Sequence, residues 1–511
     1  MSLANLIKRL RDIMRQDSGV DGDAQRLSQI VWLIFLKVFD YKEEESELED
    51  DYEPVIPVGY RWRDWADNAD VKEQLTGDEL LKFVNDKLIP VLSGESIEVD
   101  GKRVTPFDKT DERSLMVKDF MKDVSNYMKN GYLLRDVVNL FNTVHFDDSN
   151  EAHEFNDMYE SLLKDLQSAG SAGEFYTNRA ITSFAISKVN PRIGGTLADW
   201  AAGTGGFLVD ALAYMKAQIK NGDTKAMAKL QTCIRGGELK PMAYKLNVTN
   251  LLLNGIELPN IRYGDSLCEK NLNDFRGNDL VDYCALNPPY GGVALDVDKA
   301  SFPMDMRSSE TADLFVALAV KRLKADGRGI IVLPDGFLFG TDNAKVAIKK
   351  YLMKECNLHT IIRLPQSCFA PYTSIATNLL FFDKVGDNVE PTKEVWFYRL
   401  DMPEGYKHFS KTKPMKHEHF DCVRDWWDNR TEIVDEKEHE DMTTTYKAKC
   451  YSIEDIESFG YNIDLCGYPT EEKIILSPEE TMTKFVERRE MLDKAMDEKL
   501  ETIRKMLGGI I

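Results

Sequence analysis

Leu280-Val-Asp-Tyr-Cys-Ala-Leu-Asn-Pro-Pro-Tyr-Gly-Gly292 is an apolar run that ends abruptly in an amide, two prolines and an aromatic ring. The run reads as a buried strand. Two consecutive prolines cannot continue a sheet ladder, so the strand stops there. In open α/β sheets, ligands sit at the carboxyl ends of the strands. The side-chain oxygen of Asn287 and the carbonyl of Pro288 are both acceptors for one planar NH2 group. Tyr290 is placed to stack on the flat ring that carries it.

Upstream, Thr196-Leu-Ala-Asp-Trp-Ala-Ala-Gly-Thr-Gly-Gly-Phe-Leu208 reads as a short strand ending in Asp199, a glycine-rich turn, then a helix through Met215. Gly203, Gly205 and Gly206 let the backbone approach a ligand, and the new helix's N-terminus favours a negative group. The pattern is not GxGxxG, and a packing turn remains an equal reading. Cys233-Ile-Arg-Gly-Gly-Glu238 is a second strand ending in an acid, suited to a ribose diol. Ile261-Arg-Tyr-Gly-Asp265 is a third. Each acid alone is more simply a cap or a turn residue. Asp199, Glu238, Asp265 and Asn287 together predict a row along one sheet edge.

The alternation continues downstream, with helices over Thr311–Lys324 and Asn343–Lys354 and strands over Gly329–Asp335 and Leu358–Leu364. Ala376–Phe382 is expected to end the sheet, with Trp396–Leu400 as an added edge strand. The fold class is therefore α/β, a doubly wound sheet. The expected division is a helical domain over 1–150, the α/β domain over 151–400, a mixed polar extension over 401–477 and a C-terminal helix over 478–511. Within the first, helices are predicted over Leu3–Met14, Ala24–Tyr41, Leu80–Leu92 and Leu115–Leu140, with the acidic run Glu43–Glu53 as a solvated loop. Phe155–Leu166 is a further helix. The apolar stripe of Pro478–Leu507 suits packing on the same chain and a helical partner equally.

Composition narrows the partners. A formal net charge of -21 is unusual for a chain that grips nucleic acid unaided, so a more basic partner or a localised basic surface is expected. The eight cysteines show no CxxC or His-linked spacing, so they read as reduced core thiols, with no metal site. The N-terminus lacks a signal-peptide pattern, and the longest apolar run, Ile30–Phe39, is too short to span a bilayer. No membrane partner is expected.

Taken in order, Gly173-Glu-Phe-Tyr-Thr177, Asp199-Trp-Ala-Ala-Gly-Thr-Gly-Gly-Phe207, Gly237-Glu238 and Asn287-Pro-Pro-Tyr290 resemble the motifs of amino-methylating DNA methyltransferases. The arrangement is similar to that of the modification subunits of Type I restriction–modification systems. Asp157–Glu160, Gly329–Gly336, Arg363–Pro365, Thr377–Phe382 and Tyr461–Asp464 also look like that family, so the resemblance spans most of the chain.

It implies a Rossmann-like class I methyltransferase domain with helical N- and C-terminal parts. It also implies S-adenosylmethionine as donor, no metal for methyl transfer, and the N6 amine of an adenine flipped out of double-stranded DNA as acceptor. The implied partners are a specificity subunit, commonly one to two modification subunits, and a restriction subunit, in a bacterial or archaeal cytoplasm. The catalytic positions would be Asn287, Pro288, Pro289 and Tyr290. The donor positions would be Glu174, Phe175, Tyr176, Thr177, Asp199, Ala201, Gly203, Thr204, Gly205, Gly206, Phe207, Glu238 and Asp265. Within that set, Glu238 would bind the ribose, Asp265 the donor's adenine amine, and the glycine loop the methionine end, with Phe175 and Thr177 closing over it. Two positions depart from the family: Trp200 and Asn178 each stand where it usually has proline. Asn-Pro-Pro-Tyr also occurs in enzymes that methylate a protein glutamine amide, and a donor-binding structural subunit is a third reading.

Overall fold

The computed structural model describes residues 3–48, 52–67, 74–144, 159, 176–370, 373, 375–410, 412–435 and 445–466, with single positions between 482 and 499. Most of the expected helix Phe155–Leu166 lies outside the described residues, as do Glu174, Phe175 and most of Pro478–Leu507. The chain forms two units, Met1–Cys466 and Gly467–Ile511.

Helices Leu3–Met14 and Asp23–Ser46 open the first unit. The middle of the second helix, Ile30–Phe39, is apolar almost all round and is buried, as such a pattern requires. It also absorbs the start of the predicted acidic loop. Glu43 is 2% exposed, and its carboxylate accepts hydrogen bonds from the Val55 N–H and the Tyr52 hydroxyl. The predicted helix over Leu115–Leu140 is two helices, Glu112–Met121 and Gly131–Asn142. The break has a distant cause. Asp17 accepts from the backbone N–H groups of Lys129 (3.0 Å) and Asn130 (2.9 Å). Asn130 then caps the new helix, and Gly131 lies so close to the Gly77 carbonyl that a Cβ would sit 1.8 Å from it. A small hairpin, β1 (Ile97–Val99) and β2 (Lys102–Val104), precedes the helix Glu112–Met121 in sequence.

Among the described residues the main sheet has ten strands: β3 (Leu197–Asp199), β4 (Ile234–Glu238), β5 (Asn260–Tyr263), β6 (Val281–Leu286), β7 (Leu323–Pro334), β8 (Cys356–Arg363), β9 (Thr377–Lys384), β10 (Glu394–Arg399), β11 (Ile433–Val434) and β12 (Tyr446–Ser452). Their order is β11-β12-β10-β8-β9-β7-β6-β3-β4-β5. β9 does not end the sheet. It is inserted antiparallel between β7 and β8, which buries both its faces. β10 pairs parallel with β8 and is itself covered by β12, so it is not an edge. One apolar core runs from the N-terminal helices into one sheet face, through Leu33, Phe184, Leu208 and Val248. A second fills the other face around Leu318, Ile348 and Leu352.

Two buried cations fasten residues 461–466 to the carboxyl edge of the sheet. Lys349 donates to the carbonyls of Leu338, Gly340 and Tyr461 at 2.7 to 2.8 Å. Arg363 reaches Asp335 (3.2 Å), Asn378 (3.2 Å), Asp464 and the Cys466 carbonyl. In the second unit, Met482, Val486, Arg489, Asp493, Met496 and Lys499 are helical and exposed.

Candidate active site

β3 and β4 run parallel, with Asp199 opposite Gly236, and β4 pairs Glu238 with Tyr263 of β5. β6 lies parallel on the other side of β3. Asp199, Glu238, Asp265 and Asn287 therefore stand at the same edge, as the sequence row predicts.

Around them opens a cavity of about 510 Å³, within the range of small-molecule sites. Its wall includes Tyr176, Ala201, Gly203, Glu238, Asp265 and all of Asn287–Tyr290. A recess of about 20 Å³ is lined by Thr177, Asp199, Ala201, Gly203, Gly206, Phe207 and Asn287. Ala201, Gly203 and Asn287 are common to both. Thr204 and Gly205 line neither. The Thr204 carbonyl accepts from Asn250 (2.9 Å), and Gly205 has φ +83 with Asn247 behind it, where a Cβ would meet Asn247 Oδ1 at 2.5 Å.

The two buried acids are held by backbone donors. Asp199 accepts from the Ala201 N–H at 3.0 Å. Glu238 accepts from Gly203 N–H (2.8 Å) and Lys240 N–H (2.7 Å), one on each oxygen. Burial pushes the Asp199 carboxyl well above its ordinary range, and the facing Glu238 adds to the effect. Burial also raises Glu238, against the opposing pull of its N–H donors. Asp265 accepts from the Leu267 N–H at 2.8 Å. Ser266, between them, is 3% exposed, and among the described residues its hydroxyl has no hydrogen-bond partner.

Asn287 is oriented from across the fold. Its Nδ2 donates to the Thr177 hydroxyl at 2.9 Å, so its Oδ1 is the atom left to accept. The Tyr290 hydroxyl donates to that Oδ1. Among the described residues no donor reaches the Pro288 carbonyl, while the Pro289 carbonyl faces the Thr311 hydroxyl at 3.4 Å. The Phe369 ring meets Tyr290 edge-on, with centroids 6.2 Å apart.

Several wall residues carry no sequence signal. Phe369 comes from the β8–β9 loop, and Thr311 and Phe315 from the helix Thr311–Arg322. Asp298 lies beyond the prolines, 3% exposed, and its carboxyl is raised by burial and by the facing Asp265. Asp265, Cys268 and Asp298 bring carboxylate and thiol atoms within 4.8 Å of one another. The two departures from the family pattern have local explanations. Trp200 is buried in the cavity wall with the Arg322 guanidinium 4.7 Å above its ring. Asn178 caps the helix Arg179–Val189 by accepting from the Ala180 N–H at 2.8 Å, and it also donates to the Met415 carbonyl.

Residues 150–475 match the N-6 DNA Methylase family, and residues 3–141 match the HsdM N-terminal domain. The Type I restriction enzyme EcoEI methylase subunit of Escherichia coli is 45% identical over 512 residues, covering 100% of this chain and 99% of that one. The EcoKI methylase subunit of Escherichia coli strain K12 is 30% identical, over 79% of this chain and 72% of that one. A crystal structure of a type I restriction-enzyme modification subunit from Vibrio vulnificus YJ016 superposes with TM-score 0.74 at 38% identity, covering 91% of this chain and 95% of that one. A chain from a structural study of type I R-M complex assembly superposes with TM-score 0.77 at 31% identity, covering 99% of each.

Proposed function

The chain belongs to the N-6 DNA methylase family of type I methylase subunits, and from that premise we propose how its cavity works. The protein transfers a methyl group to the N6 amine of an adenine extruded from duplex DNA. The observation that carries this reading is the orientation of Asn287. With its amide nitrogen committed to Thr177, its oxygen is left to accept on the cavity wall, next in the chain to Pro288, whose carbonyl takes no donor among the described residues. Two adjacent acceptors suit the two N–H bonds of one amine.

Adenine N6 is a poor nucleophile because its lone pair is delocalised into the ring. Asn287 Oδ1 and the Pro288 carbonyl draw on both N–H bonds, aim the lone pair into the cavity and stabilise the positive charge that grows on nitrogen. The incoming amine displaces the Tyr290 hydroxyl from Asn287 Oδ1. Tyr290 then lies against the base, with Phe369 closing the slot from the other loop. Extrusion costs roughly a few kcal/mol, and stacking offsets about 1–3 kcal/mol of it. Alignment supplies most of the acceleration, on the order of 7–11 kcal/mol in favourable cases. The methylated ammonium loses its proton to water, so no base of shifted pKa is needed.

The cavity suits S-adenosylmethionine, which supplies the electrophilic methyl group. The Ser266 hydroxyl, without a partner among the described residues, leaves a polar contact open beside Glu238 and Asp265. In this reading Glu238 holds the ribose diol, Asp265 the donor's adenine amine, and Asp199 with the glycine turn the methionine end. Thr204 and Gly205 act from behind, shaping the turn. Glu174 and Phe175 stay in the proposed donor set by resemblance. The partners proposed are a specificity subunit shared by two copies of this chain, and a restriction subunit.

Labelled donor incubated with DNA and the chain, with and without its specificity subunit, tests this. Label in N6-methyladenine is expected only with the partner present. Label in protein would support glutamine methylation instead, and binding without transfer a structural role. Asn287→Ala is expected to cut transfer by at least about 100-fold with donor affinity near normal. Loss of donor binding in that variant would mean that Asn287 serves the donor instead.

A further inference from the structure

An exposed loop runs against the charge of this acidic chain. From Tyr406 to His417 the sequence holds Lys407, Lys411, Lys413 and Lys416 and no carboxylate, in a chain with 86 Asp and Glu against 65 Lys and Arg. The run is folded. Ser410 and Lys413 exchange backbone hydrogen bonds of 3.0 and 3.1 Å, which closes a tight turn. The rings of Tyr406, Phe409 and His419 pack together with centroids 5.2 to 5.6 Å apart. Phe409 and Met415 are buried, while Lys407, Lys413 and Lys416 are exposed. Lys416 has Glu418 at 3.3 Å. Among the described residues Lys407 and Lys413 have no ion pair.

The loop is tied at two points to neighbours of the cavity residues. The Phe409 N–H donates to the Ser367 hydroxyl at 2.9 Å, two residues before Phe369. Asn178 donates to the Met415 carbonyl at 3.2 Å, and it directly follows Thr177, the partner of Asn287. The lysines are therefore carried on a loop anchored at two points beside the proposed base slot.

We propose that Lys407, Lys413 and Lys416 bind the phosphates of the DNA strand that carries the extruded adenine. This rests on the methyltransferase reading above. A base turned out of the duplex leaves its flanking phosphates at the mouth of the slot. There they meet a pre-formed loop of exposed cations in a chain of net negative charge. Phosphate contacts of this kind position the strand without reading its sequence.

The test uses the full-length chain co-purified with its specificity subunit and a fluorescein-labelled mixed-sequence duplex, titrated from 50 to 200 mM KCl. Replacing all three lysines by alanine is expected to reduce the slope of log affinity against log salt by about 2–3, at roughly 0.9 for each phosphate no longer neutralised. Replacing them by arginine should keep the slope. Donor binding and thermal unfolding should match the parent. An alanine triple with the parental slope overturns the proposal. So does one that elutes free of the specificity subunit, because the loop would then serve a protein partner. An equal slope loss from alanines at the exposed Lys216, Lys220 and Lys225 also overturns it, because the effect would be net charge alone. If the parent complex places no methyl group on DNA, the function reading fails, independently of the slope comparison.

Discussion

The side-chain amide of Asn287 donates to the hydroxyl of Thr177 at 2.9 Å, across 110 residues of sequence. This contact decides which end of the amide faces the cavity. An Asn with no such partner can present either oxygen or nitrogen, and only the oxygen can accept from an amine.

Thr177→Val keeps the shape and removes the acceptor. The single-turnover rate of methyl transfer is expected to fall roughly fivefold, the equivalent of about 1 kcal/mol for one hydrogen bond. Thr177→Ser should restore it. An unchanged rate in the valine variant would show that the amide is oriented by something else.

Tyr290 has two roles that substitution can separate. Tyr290→Phe keeps the ring and removes the hydroxyl that now donates to Asn287 Oδ1. It is expected to bind a 2-aminopurine-substituted duplex at least as tightly as the parent. Tyr290→Ala should weaken the affinity read from the extruded base's fluorescence by about 1–3 kcal/mol. Equal losses in both variants would assign the hydroxyl, and not the ring, to the base.

Asp199 predicts a pH dependence. Its folded-state pKa is raised above the ordinary 3.8. The folded protein therefore binds the extra proton, and this group's stability contribution is greatest below about pH 4. That contribution is lost as pH rises through the interval up to the folded value. Asparagine cannot ionise and can still accept from the Ala201 N–H. Without donor, Asp199→Asn is expected to exceed the parent in urea stability at pH 7 by about 1–3 kcal/mol. The gap should close toward pH 4. A parallel pair of stability curves would rule out a neutral-favouring site.

Arg363 is a structural prediction. It is 1% exposed and joins Asp335, Asn378, Asp464 and the Cys466 carbonyl. Arg363→Met would leave two carboxylates without their cation, at a cost of about 3–5 kcal/mol in chemical denaturation. Adding Asp335→Asn and Asp464→Asn should recover part of that loss. No recovery would mean that the arginine matters through its packing.

Much of the chain was legible from local pattern. Strands that end at Asp199 and Glu238 and just before Asp265 and Asn287 follow from apolar runs and the residues that stop them, because a strand's period and its termination are set by near neighbours. The helix Leu3–Met14 was placed to the residue for the same reason. The split of Leu115–Leu140 was not, because its cause is a carboxylate at Asp17 that takes up the N–H groups of residues 129 and 130. Nor was the place of β9, since an apolar strand reads alike wherever it is inserted. Its position between β7 and β8 is settled by pairing with both.

By itself, the sequence determined the edge on which the chemistry sits and the acceptor groups standing there. Only the tertiary structure decided which atom of Asn287 faces the cavity, which ring stands opposite Tyr290, and which cations close around Asp335 and Asp464. Those choices are made by side chains that meet across tens to hundreds of residues. They depend on packing between elements, to which local periodicity is blind.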